Sequence, residues 1–184
     1  MKLVLTQYTE IVLLAAVLIL LFGLYLSWTA TRLDRLHVRL DAARVALDAQ
    51  LVRRSAATLE LARSGLLDVA TAVILATAAR SAQIATEDER EPAESALTRD
   101  LRAAFDDPQQ LALLRETPEG TDLVQELGAA MRRVQLARRF HNESVRAVRQ
   151  LRGHRRVRYF QLAGRAPDKP TFEIDDEPPP AIGR

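Results

Sequence analysis

From Ile11 to Leu26 the chain reads IVLLAAVLILLFGLYL, without a single charge. A helix rises ~1.5 Å per residue, so roughly 20 apolar residues are needed to cross a hydrocarbon core ~30 Å thick. Residues 11–30 supply that length, with Tyr8, Tyr25 and Trp28 near the ends, where amphipathic rings favour the interface. The run predicts a transmembrane helix over 11–30, and everything after Arg32 reads as a domain held beside a membrane.

A cleaved leader is the competing reading of the run. It wants a short apolar core and a small-x-small cleavage site, whereas bulky Trp28 stands at −3 from the candidate site after Ala30 and the core is too long. Orientation follows the flanking cations. Lys2 before the run is offset by Glu10, while Arg32, Arg35, Arg39 and Arg44 follow it closely. The expected topology is a single pass with a short outer tail (1–10), the anchor (11–30), a cytoplasmic helical bundle (31–160) and a Pro-rich acidic tail (161–184).

About 150 residues beyond the anchor suffice for one domain with its own core. Ala, Leu, Arg and acids dominate while aromatics make up only 5%, a mix that favours long helices over sheets. The chain has no cysteine, which excludes disulfides, thiolate catalysis and Cys-ligated zinc.

Apolar positions beyond the anchor recur at three-four spacing: Leu33, Leu36, Leu40, Ala43, Leu47. A second stripe, Val38, Ala42, Val45, Ala49 and Val52, would widen the same buried face. Gly65 is the natural stop. Leu66–Ala79 is apolar nearly all round yet too short to span a bilayer, so it reads as a buried helix, with Ile74 inside the core. Thr86 and Glu89 have capping-box spacing, and Pro92 suits the first turn of a helix running to about Phe105. Asp106–Pro118 reads as irregular, with a short turn at Leu111–Leu114.

Asp122 is the expected N-cap of the last long helix, which Gly153 would end. The tail after Ala163 is rich in Pro and acid and is expected to be disordered. The fold class is therefore all-α. The expected arrangement is a transmembrane helix followed by an antiparallel four-helix bundle with long first and last helices.

Two stretches resemble the LemA family of bacterial membrane-anchored helical proteins. LDAARVALDAQLVRR over 40–54 is similar to that family's segment after the membrane helix, with Asp48, Gln50, Leu51, Arg53 and Arg54 matching its Asp-x-Gln-Leu-x-Arg-Arg run. VQLARRFHNESV over 134–145 is similar to its Ala-Arg-x-x-Tyr-Asn helix. Ala137, Arg138, Asn142 and Val145 match there, and His141 stands where the family has Tyr. Tyr159-Phe160 sits where the family tends to have a Tyr-Phe pair. The family's Asp-Leu-Ile-Pro-Asn segment is replaced by Ser55-Ala56-Ala57-Thr58-Leu59, and its Gly-Tyr and Asn-Tyr-Pro signatures are missing. The resemblance implies an anchor in a bacterial inner membrane with the N-terminus outside, a helical bundle, no enzymatic activity, and an association with envelope stress or proteolysis.

No residue pattern names a reaction. His37, His141 and His154 are the only histidines, and neither HExxH nor the Glu-x-x-His of di-iron bundles occurs, so no catalytic, metal or cofactor residues are assigned. His141 and Asn142 read as packed groups sharing hydrogen bonds with a neighbouring helix. Arg53 and Arg54 lie toward the apolar side of their helix, where their heads would reach acids on another helix or a ligand.

Between Arg132 and Arg158 stand ten arginines and one acid, Glu143. Arg132, Arg139, Arg146 and Arg149 are candidate contacts for a partner protein or for anionic lipid, worth about 1 kcal/mol per basic residue near a membrane surface. Nucleic acid ranks last, because stacking aromatics are scarce on that face. The acids Glu173, Asp175, Asp176 and Glu177 are expected to compete for this face, reaching Arg146, Arg149, Arg152, Arg155 or Arg156. The expected function is non-enzymatic presentation of a bundle to membrane or membrane-associated proteins. The alternative is an accessory subunit of a larger membrane complex, and homo-oligomerisation stays open.

Overall fold

The structure, a computed structural model, describes residues 2–153 and 170–182. The side chains of residues 2–11, 26, 29, 30, 33 and 151–153 lie outside those described. The described residues hold five helices and no strand: α1 (Lys2–Arg63), α2 (Val69–Ile84), α3 (Arg90–Ala104), α4 (Pro108–Leu114) and α5 (Pro118–Gly153). The all-α class holds, and the longest helices are the first and the last.

Local chemistry sets most boundaries. α1 stops where Gly65 takes φ +76°, a left-handed conformation that a Cβ disfavours. α2 starts at Val69, three residues later than the apolar run begins, because Asp68 caps it by accepting the Thr71 N–H at 3.0 Å. Hydrogen bonds from Thr71 hold the Asp68 carboxyl below its ordinary range.

The capping box at Thr86 is not formed. Thr86 instead closes a turn in which its hydroxyl meets Glu89 Oε2 at 2.9 Å, and Glu89 is the N-cap of α3. Asp106–Pro118 is more regular than its prolines suggest, since Asp107 caps α4 with Pro108 in its first turn. Pro118 likewise begins α5 rather than breaking it. The Thr117 hydroxyl accepts the Gly120 N–H at 3.1 Å, which leaves Asp122 inside the helix.

The chain divides into two compact units, and α1 and α5 contribute to both. In the first, Leu40, Val145 and Val148 form a small cluster with Leu36 against it. Val12 to Tyr25 of α1 are exposed along every face of the helix, and the Arg32 guanidinium lies 5.9 Å from the centre of the Trp28 ring. Among the described residues no helix is long and apolar enough to cross a membrane. The stretch with described side chains, 12–25, covers about 21 Å. Ile11, Leu26, Thr29 and Ala30, which complete the run in the sequence, have side chains outside those described.

The second unit holds the main core. Leu61, Leu75, Leu97, Leu101, Leu111 and Leu127 are fully buried there, so all five helices close on one apolar centre. Each such side chain contributes about 1.5–3 kcal/mol on leaving water. Arg44–Glu87, Asp48–Arg90 and Arg54–Glu94 advance together, so α1 and α3 run in the same direction. Leu47 and Leu51 meet Val134 while Arg53 meets Glu126, so α5 runs opposite to α1.

Two expectations about faces fail. Val38, Val45 and Val52, the second stripe of α1, are exposed, and the buried line is instead Leu47, Leu51, Arg54, Thr58 and Leu61. In α2 the buried face is Leu75, Ala78, Ala79 and Ala82, while Val69, Val73 and Ile74 point outward, Ile74 being 53% exposed. Small alanines let α2 approach α3 closely, and the bulkier β-branched residues take the outer side.

Candidate functional site

Two polar constellations stand out in the second unit, and both use residues of the family-like stretches. The first is buried. Arg54 falls seven residues after Leu47 on the inward line of α1, and Glu94 falls three residues before Leu97 on the inward line of α3. Each is only 1% exposed. Arg54 Nη2 donates to Glu94 Oε2 at 2.5 Å and to the Glu94 carbonyl at 3.1 Å, and Nη1 donates to the Thr98 hydroxyl at 3.0 Å. Arg90 closes the network, 3.6 Å from Glu94 Oε1 and 3.9 Å from Asp48 Oδ1.

Burial pushes the Glu94 carboxyl above its ordinary range, and the Arg54 and Arg90 guanidinium groups oppose that push. A slip of either helix would strand one buried charge, so the pair holds the register of α1 against α3.

The second constellation is a groove between α3 and α5, filled by residues 172–177, which form neither helix nor strand and whose contacts advance along α3 from Glu91 through Ser95 to Arg102. The Asn142 carboxamide grips Phe172 at two points, its Oδ1 accepting the Phe172 N–H at 2.8 Å and its Nδ2 donating to the Phe172 carbonyl at 3.1 Å. Glu91 Oε1 accepts the Glu173 N–H at 2.9 Å, Ser95 Oγ accepts the Asp175 N–H at 3.2 Å, and Gln135 Nε2 donates to the Asp176 carbonyl at 2.9 Å. Five backbone groups of the segment are thus held by side chains of the groove rather than by a secondary-structure ladder.

Charge adds direction. Arg138 makes a two-pronged pair with Asp176, Nε to Oδ2 at 2.7 Å and Nη2 to Oδ1 at 3.0 Å. Arg102 pairs with Asp175 and lies 3.7 Å from Glu177. Phe172 and Ile174 turn the other way, against Leu47, Leu51 and Val134. Further on, Ile182 is buried in the main core, close over Gly128, where an added Cβ would stand 3.0 Å from Ile182 Cγ2.

The residues singled out by sequence scatter between these places. Asp48 and Arg54 join the buried network, Leu51 is fully buried, and Gln50 is half-buried beside it. Arg53 pairs with Glu126, at 2.9 Å on the surface. Arg138 and Asn142 come together at the groove, and His141 is buried next to them. Val145 belongs to the small cluster with Leu40. Arg132, Arg139, Arg146 and Arg149 are exposed on α5. Among the described residues the arginines that pair with the acids of the tail are Arg102 and Arg138, upstream of those expected, and the side chains of Arg152, Arg155 and Arg156 lie outside those described.

Residues 170–182 are packed, against the expectation of a disordered tail, because Phe172, Ile174 and Ile182 find apolar cover that the tail cannot make for itself. Asn142 bonds to the tail rather than to a neighbouring helix. Glu94, Ser95, Arg102 and Gln135 were not anticipated. The one available signal was Glu94's place on the inward spacing of Leu97 and Leu101. Among the described residues no group of three His, Asp or Glu side chains converges as a metal site requires.

No family model, no curated protein and no solved structure matches this chain.

Proposed function

We propose that the protein is a non-enzymatic, single-pass membrane protein that presents a helical bundle in the cytoplasm to partner proteins. The carrying observation is the first third of α1. Its large apolar side chains from Val12 to Tyr25, and Trp28, are 40–72% exposed, on all sides of a helix with no charge between Ile11 and Ala30. A contiguous apolar surface of that kind needs a cover, and lipid covers every face at once. The arginines after Trp28 favour placing the bundle on the cytoplasmic side.

On this reading α1, α2, α3 and α5 are the four members of an antiparallel bundle, and α4 clasps one end. The resemblance of 40–54 and 134–145 to the LemA family supports the same picture, with the bacterial inner membrane as its place and envelope stress or proteolysis as its setting. Arg132, Arg139 and Arg146 add an exposed basic face for an acidic partner or anionic lipid.

Docking as an accessory subunit of a larger membrane complex is the second reading, favoured by the outward apolar stripe Val69, Val73 and Ile74 of α2. Co-purification of the full chain from mild detergent separates the two. Varied partners at less than equal amounts support the interaction protein, and one partner in fixed ratio supports the subunit. A reporter active only in the cytoplasm, fused after Arg184, is expected to be active; activity of an extracytoplasmic reporter there would overturn the topology.

A further inference from the structure

The way residues 172–177 are held is that of a bound peptide rather than of a structural element. An extended segment recognised in a groove draws affinity from bonds to its main chain and specificity from alternating side-chain pockets. Both are present here. Asn142, Glu91, Ser95 and Gln135 read the backbone. The apolar floor at Leu47, Leu51 and Val134 takes Phe172 and Ile174, and Arg138 and Arg102 take the acids. The cover is incomplete, since Glu173 and Glu177 are largely exposed and the Arg102 pairs are half-exposed. The outer pairs of Arg102 are weak and screened by salt. The segment is therefore held by the Arg138–Asp176 pair, the Asn142 bonds and its apolar contacts, all of which a partner segment of the same pattern can make in its place.

We infer that the groove between α3 and α5 is a docking site for an extended acidic segment of a partner protein, with the pattern aromatic-acid-aliphatic-acid-acid, and that residues 172–177 are its internal competitor. The inference rests on the interaction-protein reading above and names the surface and the chemistry of the partner. Covalent attachment gives the chain's own segment a high effective concentration, so the groove stays closed until a partner segment is tighter or locally abundant.

The test uses the full chain in neutral detergent and a fluorescent peptide with the sequence of residues 171–179. The double substitution Phe172→Ser and Asp176→Lys loosens the internal segment without touching the groove. The peptide is expected to bind this variant at least tenfold more tightly than the unsubstituted chain and to weaken as salt rises. Adding Asn142→Ala to the variant is expected to lower binding at least tenfold again, while a scrambled peptide of equal charge fails to bind. Equal binding by the variant and the unsubstituted chain, or by the scrambled peptide, would overturn the proposal.

Should the variant not fold, hydrogen exchange on the unsubstituted chain decides. Excess peptide is expected to speed exchange of amides 172–176 while α5 stays protected, and unchanged exchange counts against the site. A doubled molar mass on loosening the segment would overturn the partner assignment in favour of exchange between copies. Membrane anchoring is read by separate fractionation, so failure of the peptide to bind leaves that reading standing.

Discussion

Removing the Arg54 guanidinium leaves Glu94 at 1% exposure with only the more distant Arg90 for compensation. Breaking a buried pair in this way costs about 3–5 kcal/mol, whereas replacing both members by apolar groups of similar size is often neutral. Arg54→Met is therefore expected to lower the melting temperature steeply, and Arg54→Met with Glu94→Leu to recover most of the loss; calorimetry in detergent reads both.

A pH dependence follows from the same carboxyl. Burial raises its value in the folded state above 4.5, so the protonated form favours folding. Its contribution is complete below pH 4.5 and is lost as pH rises through the raised value. Relative to Glu94→Gln, the unsubstituted protein is expected to lose stability as pH climbs from 4.5 toward neutrality, and a relative gain over that range would contradict the account. In the sequence the inward position of Arg54 was partly legible from its spacing. The identity of its partner was not, because Glu94 lies 40 residues away and is chosen by how α1 and α3 align.

At the scale of elements, the choice of buried face in α2 shows where periodicity runs out. Apolar residues stand on both faces of the helix, Val69, Val73 and Ile74 on one and Leu75, Ala78, Ala79 and Ala82 on the other, so both satisfy the hydrophobic effect. Close approach to α3 decides, and it selects the alanine face. Ile74→Asp is accordingly expected to change stability by about 0.5 kcal/mol or less, and Leu75→Ala to cost about 2–5 kcal/mol. Urea unfolding of the two variants checks the contrast.

The start of α5 offers a sharper case. Alanine is ordinarily the better helix former by about 1 kcal/mol, yet a Cβ at Gly120 would stand 1.9 Å from the Leu114 carbonyl oxygen. Backbone cannot yield that distance cheaply, so Gly120→Ala is expected to destabilise by several times what propensity would add. A rise in melting temperature would show that α4 does not pack against the first turn of α5. The long first and last helices were legible from three-four spacing, whereas α4 lies in a stretch that read as irregular. Helix starts were missed at Asp68, Asp107 and Thr117, where a cap or a proline at the first turn overrode the apolar pattern.

For the whole molecule, composition suggested that the tail would not fold, and for an isolated segment that argument holds. Its docking depends on a groove built from α3 and α5, which no local property of the tail encodes. The proposed anchor is the opposite case, resting on the sequence as an uncharged run followed by arginines. Because the chain has no cysteine, single substitutions report topology without background. With the full chain expressed in a bacterial host, Thr6→Cys and Arg99→Cys variants are treated with a membrane-impermeant maleimide before and after permeabilisation. The account expects both variants in the alkali-resistant membrane fraction, with Cys at position 6 labelled on intact cells and Cys at position 99 labelled only after permeabilisation. Release of the chain by alkali, or labelling of position 99 on intact cells, would contradict it.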